Sequence, residues 1–585
     1  MILQQLYADA GTLLGEDMPP PMYDTKPVRR IIDLTADGTL IGEIVSLGGD
    51  KQNKRGQPRM VPYISRTSGV RPILLADTPA YVLGVSPDDK RAAEKHAAFK
   101  ALVHQCAEVT GDPSVHAVDA FLTTWDPATG TVPADLSPGD LITFQVAGKP
   151  VADIEKVRQF WAKSARVDDG AGGESQCLVT GLRGPVEKSL PGTIKGVPGG
   201  QMSGIALVSA NEDAFESYGL ERAQTSPISR EAAERFTKAL NHLIATRDNH
   251  ITIGGLVYVF WTRNGDSGGV FGFLDNPDPN EVRDLLRSHH SGERKHLFVE
   301  PEEFYAFALS ASAARAVTRD WLHTTVGEVK ERLKTWFEAH EMVAPDGSET
   351  RFYKVYNLAA SAYRDARKEM DTHAAQGLFR SALHGEPVPQ TLLAKAVLRC
   401  RAEQRVTAPR AALIKAALVM KSPPFSSEEA QRMTTLDMER QDAPYLCGRL
   451  LAELAEVQRV AVGPINTTLI DRYFGAASTT PATVFGVLLS QANKAHLPKI
   501  RKTRRGAYAA LQERLEQIMA PMTGFPKTLT LQEQALFALG FYHQRAYDRA
   551  QMAEAKARKE QGKATAKDAN LAELADIDTT LNSGE

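Results

Sequence analysis

The chain has 585 residues, 43% of them apolar and 24% charged, with a net charge of −2. That length exceeds what one hydrophobic core supports, so two or more domains are expected, in a composition typical of globular proteins. The near-neutral balance excludes a surface that grips nucleic acid everywhere; any such binding has to come from local cationic patches.

No apolar run approaches the ~20 residues of a membrane helix, and Met1–Tyr7 reads as the start of an amphipathic helix and not as a signal peptide. Cys106, Cys177, Cys400 and Cys447 are scattered, without a Cys-x-x-Cys pair. This argues against structural zinc and against a disulfide framework, and fits a reducing cytoplasm.

In chain order, a helix over Ile2–Leu14 precedes the turn Pro19–Pro21. Val28–Leu34 and Leu40–Leu47, separated by Thr35–Thr39 with its Asp-Gly pair, predict a hairpin. A basic loop over Gly48–Pro58 and a short strand over Met60–Ile64 follow, then a helix over Asp88–Val109. Leu136–Val151 predicts a strand pair and Ile154–Ala162 a helix. Cys177–Thr180, Ile205–Ser209 and Leu256–Trp261 predict core strands. Between the last two lies a helix over Ser229–Ala245, with Ser229 as its N-cap.

Beyond Phe352 the pattern turns helical: Asn357–Met370, Gln390–Glu403, Pro409–Met420, Ala443–Arg459, Pro481–Lys494, Arg504–Met519 and Thr530–Arg549. The fold class is thus an α+β N-terminal region followed by an all-α helical bundle. Its regions are an α+β domain over 1–345, a bundle over 346–550, and a frayed helix with a disordered tail over 551–585.

Catalytic motifs are incomplete. Gly265-Asp266-Ser267-Gly268-Gly269 matches the segment around a serine-protease nucleophile, but no histidine segment of that chemistry accompanies it. It reads as a turn before a strand over Val270–Phe273. His289, His290 and His296 are interleaved with Arg294 and Lys295, which would repel a metal ion, so they read as a solvated loop. Neither His-Glu-x-x-His nor a phosphate-binding Gly-x-x-x-x-Gly-Lys-Ser/Thr occurs. A non-enzyme without metal or cofactor is expected.

Three segments combine cations with glycine or small polar residues, the mixture that phosphate contact uses. The first holds Lys51, Lys54, Arg55, Arg59, Arg66, Thr67, Ser68 and Arg71. The second runs from Lys188 to Gly204 and includes Lys195, Gly199, Gly200 and Gln201. There, glycines permit close backbone approach, and Gln201 with Met202 could read or wedge a groove. The third, after Lys494, holds Lys499, Arg501, Lys502, Arg504 and Arg505, suited to a nucleic-acid strand.

At these residues the chain resembles the large subunit of the type I-C CRISPR surveillance complex, Cascade. The resemblance is carried by Met1–Gln4, Arg66–Gly69, Tyr81–Gly84, Cys177–Gly181, Ile194–Gly196, Ser203-Gly204 and Leu207–Ser209. Ala214–Gly219 followed by Ala239–Asn241 is its most specific block, and Tyr445–Leu450 with Ile470–Phe474 continues it through the helical half. Departures include Pro72-Ile73-Leu74, where an amide is absent at Ile73, Leu190-Pro191 before the Ile-Lys-Gly segment, and Ala210.

The resemblance implies a subunit that performs no chemistry. It implies recognition of a protospacer-adjacent motif, help in opening double-stranded target DNA, and recruitment of a helicase–nuclease, while CRISPR RNA reads sequence by pairing. The implied partners also include the RNA-backbone and RNA-handle-processing subunits, and a small subunit made from an internal start, for which Met433 or Met438 is suited. No membrane is implied. Two other classes stay open from the residues alone: a helical adaptor that docks proteins without touching DNA, and a hydrolase using Ser267.

Overall fold

The structure, a computed structural model, describes residues 2–15, 18–20, 22–48, 56–64, 66, 69–86, 89–167, 174–187, 189–210, 212–253, 255–264, 282, 302–421 and 424–581. The strand expected over Val270–Phe273, the Ser267 turn and the three clustered histidines lie outside these residues. Compactness divides the chain into residues 1–245 with 311–317, and residues 246–310 with 318–585. The sequence sets the change of character near 345, whereas the sheet of residues 250–325 groups mainly with the helices that follow it.

In the first unit, helix Ile2–Leu14 buries Leu6, Ala10 and Leu14, one stripe at helical spacing. The expected strand Val28–Leu34 is two strands that break at Arg29. Tyr23–Val28 pairs antiparallel with Gln57–Pro62, while Arg30–Leu34 enters a five-stranded sheet. The hairpin turn is present: Thr35 N donates to Thr39 O, Leu34 bridges Leu40, and Val45–Ser46 returns along Arg30–Ile31. Gly38 sits there at φ 88°, the left-handed region that glycine enters without a steric penalty.

Arg30–Leu34 also pairs in parallel with Ile142–Val146, placing Ile32 opposite Phe144. Phe144 meets Phe99 of helix Ala92–Thr110 and Phe121 of helix Pro113–Thr124, with ring centroids 6.3 Å apart in each case. Each such buried ring contributes about 2–3 kcal/mol. Asp112 starts the second of these helices by accepting from Ser114 N, with Pro113 at its first position.

Two expected strands differ. Cys177–Thr180 is a turn, closed by Gly181 N donating to Cys177 O; the flanking Glu174–Gln176 and Arg183–Pro185 form the ribbon instead. Ile205–Ser209 is reduced to isolated bridges, Ile205 with Ile194 and Ala206 with Arg315.

Strands His250–Ile253, Leu256–Thr262, Glu303–Ser312 and Arg315–Thr325 form a sheet in that order, all but residues 311–317 belonging to the second unit. Tyr258 stacks on Phe379 of helix Thr372–His384, with centroids 4.5 Å apart. The expected helix Asn357–Met370 is broken into Val355–Ala360 and Ala366–Glu369, because Asp365 caps a new start by accepting from Arg367 N. Gln390–Glu403 and Ala408–Val419 follow the sequence pattern closely. The segment expected to fray after Met552 is helical to Leu581, in one helix that begins at Leu531. That helix crosses Ala443–Val462 at two glycines. A Cβ on Gly448 would fall 2.0 Å from Phe537 O, and one on Gly540 would fall 2.1 Å from Tyr445 O.

Candidate nucleic-acid interface

The glycine-rich loop of the first unit is a closed structure. Ile194 and Ile205, both buried, exchange two main-chain hydrogen bonds of 2.8 and 2.9 Å at its neck. Thr193 Oγ1 donates to Ser203 O at 2.8 Å. Asn241, on helix Arg230–Ala245, uses both ends of its amide: it accepts from Lys195 N and donates to Thr193 O, each at 2.9 Å. Gly204 is obligatory, since at φ 98° an added Cβ would lie 2.3 Å from Thr193 Oγ1. Beyond this neck, Gly199, Gln201, Met202 and Ser203 are exposed, as is the Lys195 side chain, while Gly200 is half-buried under Val197 O and Ile205. The tip is therefore presented on a fixed stem.

The first cationic segment divides. Lys51, Lys54, Arg55, Thr67 and Ser68 lie outside the described residues. Arg59 is half-buried on Gln57–Pro62, directly across from Lys26. Arg66, by contrast, turns inward: its guanidinium donates to the buried Asp77 carboxylate and stacks 4.2 Å over the Tyr81 ring. Asp77 also accepts from Ile73 N at 2.8 Å and Thr78 N at 2.7 Å. Burial pushes its pKa up, and Arg66 and these amides oppose the rise. Arg71 is half-buried, with its N–H donating to Tyr81 Oη at 3.2 Å. Of this set, Arg66 has a structural partner that the sequence reading did not foresee.

Sequence reasoning also missed the groups beside the loop. Lys26 Nζ is 2.7 Å from Asp24 and 3.7 Å from the Tyr63 ring centroid. Lys238 donates to Tyr23 O at 2.7 Å; burial lowers its pKa, against the opposing pull of Glu234 and Asp24. Burial raises that of Glu234, which accepts from Met22 N. The only sequence signal was the i, i+4 spacing of Glu234 and Lys238, which reads as an ordinary helical ion pair. The conspicuous block Ala214–Gly219 is exposed apart from the half-buried Glu216, with Tyr218 in a tight turn at φ 56° and Phe215 beneath the Arg315 guanidinium at 4.2 Å.

In the second unit the third segment is a break between helices. Pro481–Gln491 runs through a π-helical turn, Ala492–His496, into Leu497–Thr503, and Arg505–Met519 starts after Arg504 leaves helical geometry at φ −147°. Leu497 and Ile500 are buried and hold the short helix down. Lys494, Lys499, Arg501, Lys502, Arg504 and Arg505 are all exposed. None of the six forms an ion pair among the described residues, which leaves their fields directed at solvent.

Among the described residues no group of three or more His, Cys, Asp or Glu side chains is placed to hold a metal ion, and no helix is long and apolar enough to cross a membrane. The described residues thus form an α+β region and a helical bundle, with six exposed cations at the Lys494–Arg505 break that have no ion-pair partner among them. The CRISPR-associated protein family Cas_Csd1 matches residues 3–547, and the chain belongs to that family. It is the family of the type I-C large subunit, which the sequence resembles. Comparison with curated proteins gave no match.

Proposed function

We propose that this protein is a non-catalytic large subunit of an RNA-guided CRISPR interference complex. In this reading its cations hold the phosphates of a target that guide RNA selects by pairing. The supporting observation is the run from Lys494 to Arg505: six exposed cations at a helix break, unpaired among the described residues, on a chain of net charge −2. An undirected excess of charge would be spread out; local concentration on a neutral body is what strand binding requires. The glycine-rich loop supplies the second contact, with Lys195 on phosphate and Gln201 as the candidate for reading the protospacer-adjacent motif or wedging the duplex open. The partners in this reading are CRISPR RNA, the backbone and handle-processing subunits, the small subunit and the helicase–nuclease.

The test is target binding by the complex reconstituted with its guide RNA. Changing Arg501, Lys502 and Arg504 together to Ala is expected to weaken binding at least about ten-fold for every target. Gln201→Ala is expected to alter discrimination between flanking motifs and leave the salt dependence in place. Unchanged binding in both variants refutes the proposal. Cleavage of target by this chain alone refutes its non-catalytic part.

A further inference from the structure

The first unit contains a cavity of about 600 Å³ that opens at the neck of the glycine-rich loop, where Thr193, Lys195 and Ser203 form part of its lining. Nothing in the proposed phosphate contacts uses it. It lies within the range of small-ligand sites, about 300–1,000 Å³, and is too small for a duplex. Among its described lining residues, Lys26 pairs with Asp24, Lys238 with Glu234, and Arg230 with Glu187, which is not among them, so Lys195 gives the site an excess of one cation. That excess suits a ligand with negative charge. Leu14, Pro19, Leu190 and Pro191 provide apolar wall, and Tyr23 and Tyr63 provide aromatic wall, which suits a flat hydrophobic ring.

The mouth is held in place. Asn241 ties both sides of Lys195's neighbourhood through Thr193 O and Lys195 N, and the Ile194–Ile205 bridge fixes the stem beside it. Lys195 itself is exposed at the rim, and its ammonium has no carboxylate partner among the described residues. Lys26 also lines the cavity, its ammonium set between Asp24 and the face of Tyr63. A ligand seated here therefore meets the exposed Lys195 ammonium together with apolar and aromatic wall. That combination matches the two ends of a nucleotide, a phosphate and a base.

We infer that this cavity receives a single nucleotide extruded from the nucleic acid that the glycine-rich loop holds. Its phosphate rests on Lys195, and its base lies against the Leu190–Pro191 and tyrosine walls. Extrusion breaks base stacking and is least costly for an unpaired nucleotide. The inference rests on the reading that the loop binds nucleic acid, and the ligand chemistry is common to an RNA guide and an opened DNA target.

The experiment uses the full-length protein and short single strands, of DNA in one arm and RNA in the other, each with one photoreactive 4-thiopyrimidine. Strand binding is followed by fluorescence anisotropy, and cross-linked peptides are mapped by mass spectrometry. Cross-links to the cavity wall, at Tyr23–Lys26 or Thr237–His242, are expected in at least one arm, and the arm that gives them identifies the source of the nucleotide. Leu190→Trp fills the interior, and Ser203→Trp obstructs the mouth from an exposed position, so one remains informative if the other does not fold. Each is expected to reduce wall cross-links at least about five-fold while anisotropy changes much less, because the loop and its phosphate contacts persist. Strands that bind without cross-linking to either wall, or wall cross-links that survive both substitutions, overturn the cavity assignment alone. Absence of strand binding in both arms overturns the loop reading and the cavity assignment with it.

Discussion

Arg66 and Lys195 look alike in the sequence, each a cation beside small polar residues, yet the structure gives them opposite surroundings. Arg66 neutralises the buried Asp77, eleven positions along the chain, while the Lys195 side chain stands in solvent. Arg66→Ala leaves a buried carboxylate with two amide donors and no counter-charge, and is expected to cost about 3 kcal/mol of stability. A urea denaturation midpoint checks this, and Lys195→Ala in the same assay should shift it by less than ~0.5 kcal/mol. Lys415 is a second buried cation with a structural task. Its ammonium donates to Glu338 O and Glu341 O at 2.9 Å and to Thr434 Oγ1 at 2.7 Å, which uses all three of its hydrogens. Lys415→Met strands those carbonyls at the end of helix Val326–His340, with an expected loss of about 3 kcal/mol by the same measurement. A cation is legible in a sequence. The partner that decides whether it is anchor or contact is not, because it is chosen by tertiary packing.

At the scale of elements, long periodic helices such as Gln390–Glu403 were legible because a repeating apolar stripe specifies both their span and their buried face. Short elements were not. Leu497–Thr503 and Ala366–Glu369 are too brief for a period to register, and Cys177–Thr180 has strand-like residues in a turn fixed by Gly181. The crossing of Ala443–Val462 with the helix from Leu531 was equally hidden, since its cause is two glycines in different helices. Gly448→Ala and Gly540→Ala each force main chain apart and are expected to destabilise by about 3 kcal/mol or more, measured as a lowered thermal midpoint.

The same crossing buries Glu453, which forms an ion pair with Arg514 at 3.0 Å and accepts from Gln544 Nε2 at 2.8 Å. Gln544 in turn binds Asp548 at 3.0 Å and Arg449 at 3.0 Å. Burial, with Asp548 beside it, pushes the Glu453 pKa up to about 8. A carboxyl raised above its unfolded value stabilises fully below about 4.5 and loses that contribution as pH climbs through about 8. The contribution of Glu453 to the unfolding midpoint is therefore expected to fall between pH 5 and pH 8. Glu453→Gln, which cannot ionise, should flatten that fall; an unaltered profile would show that the proton resides elsewhere.

At the scale of the molecule, the α+β and helical halves were legible from composition, but the pairing of Arg30–Leu34 with Ile142–Val146 spans over a hundred residues and leaves no local trace. The net charge of −2 was the most telling global number, since it required any polyanion contact to be local. Binding by the Lys494–Arg505 run should accordingly depend steeply on salt. Each cation removed is expected to lower the slope of log affinity against log salt by about 0.7 for a single strand, read from titrations at several ionic strengths. The glycine crossing bears on a question of gene expression. Both of its sides lie after Met433, so a product begun at that methionine would inherit the tightest seam of the bundle, along with the Glu453 cluster and the cationic break. It would lack helix Ala408–Val419, whose Leu413 and Ile414 are wholly buried and which packs on the helix from Leu531. Such a shortened polypeptide would emerge already zipped along one side and bare along the other, with a vacancy shaped like the piece it never received.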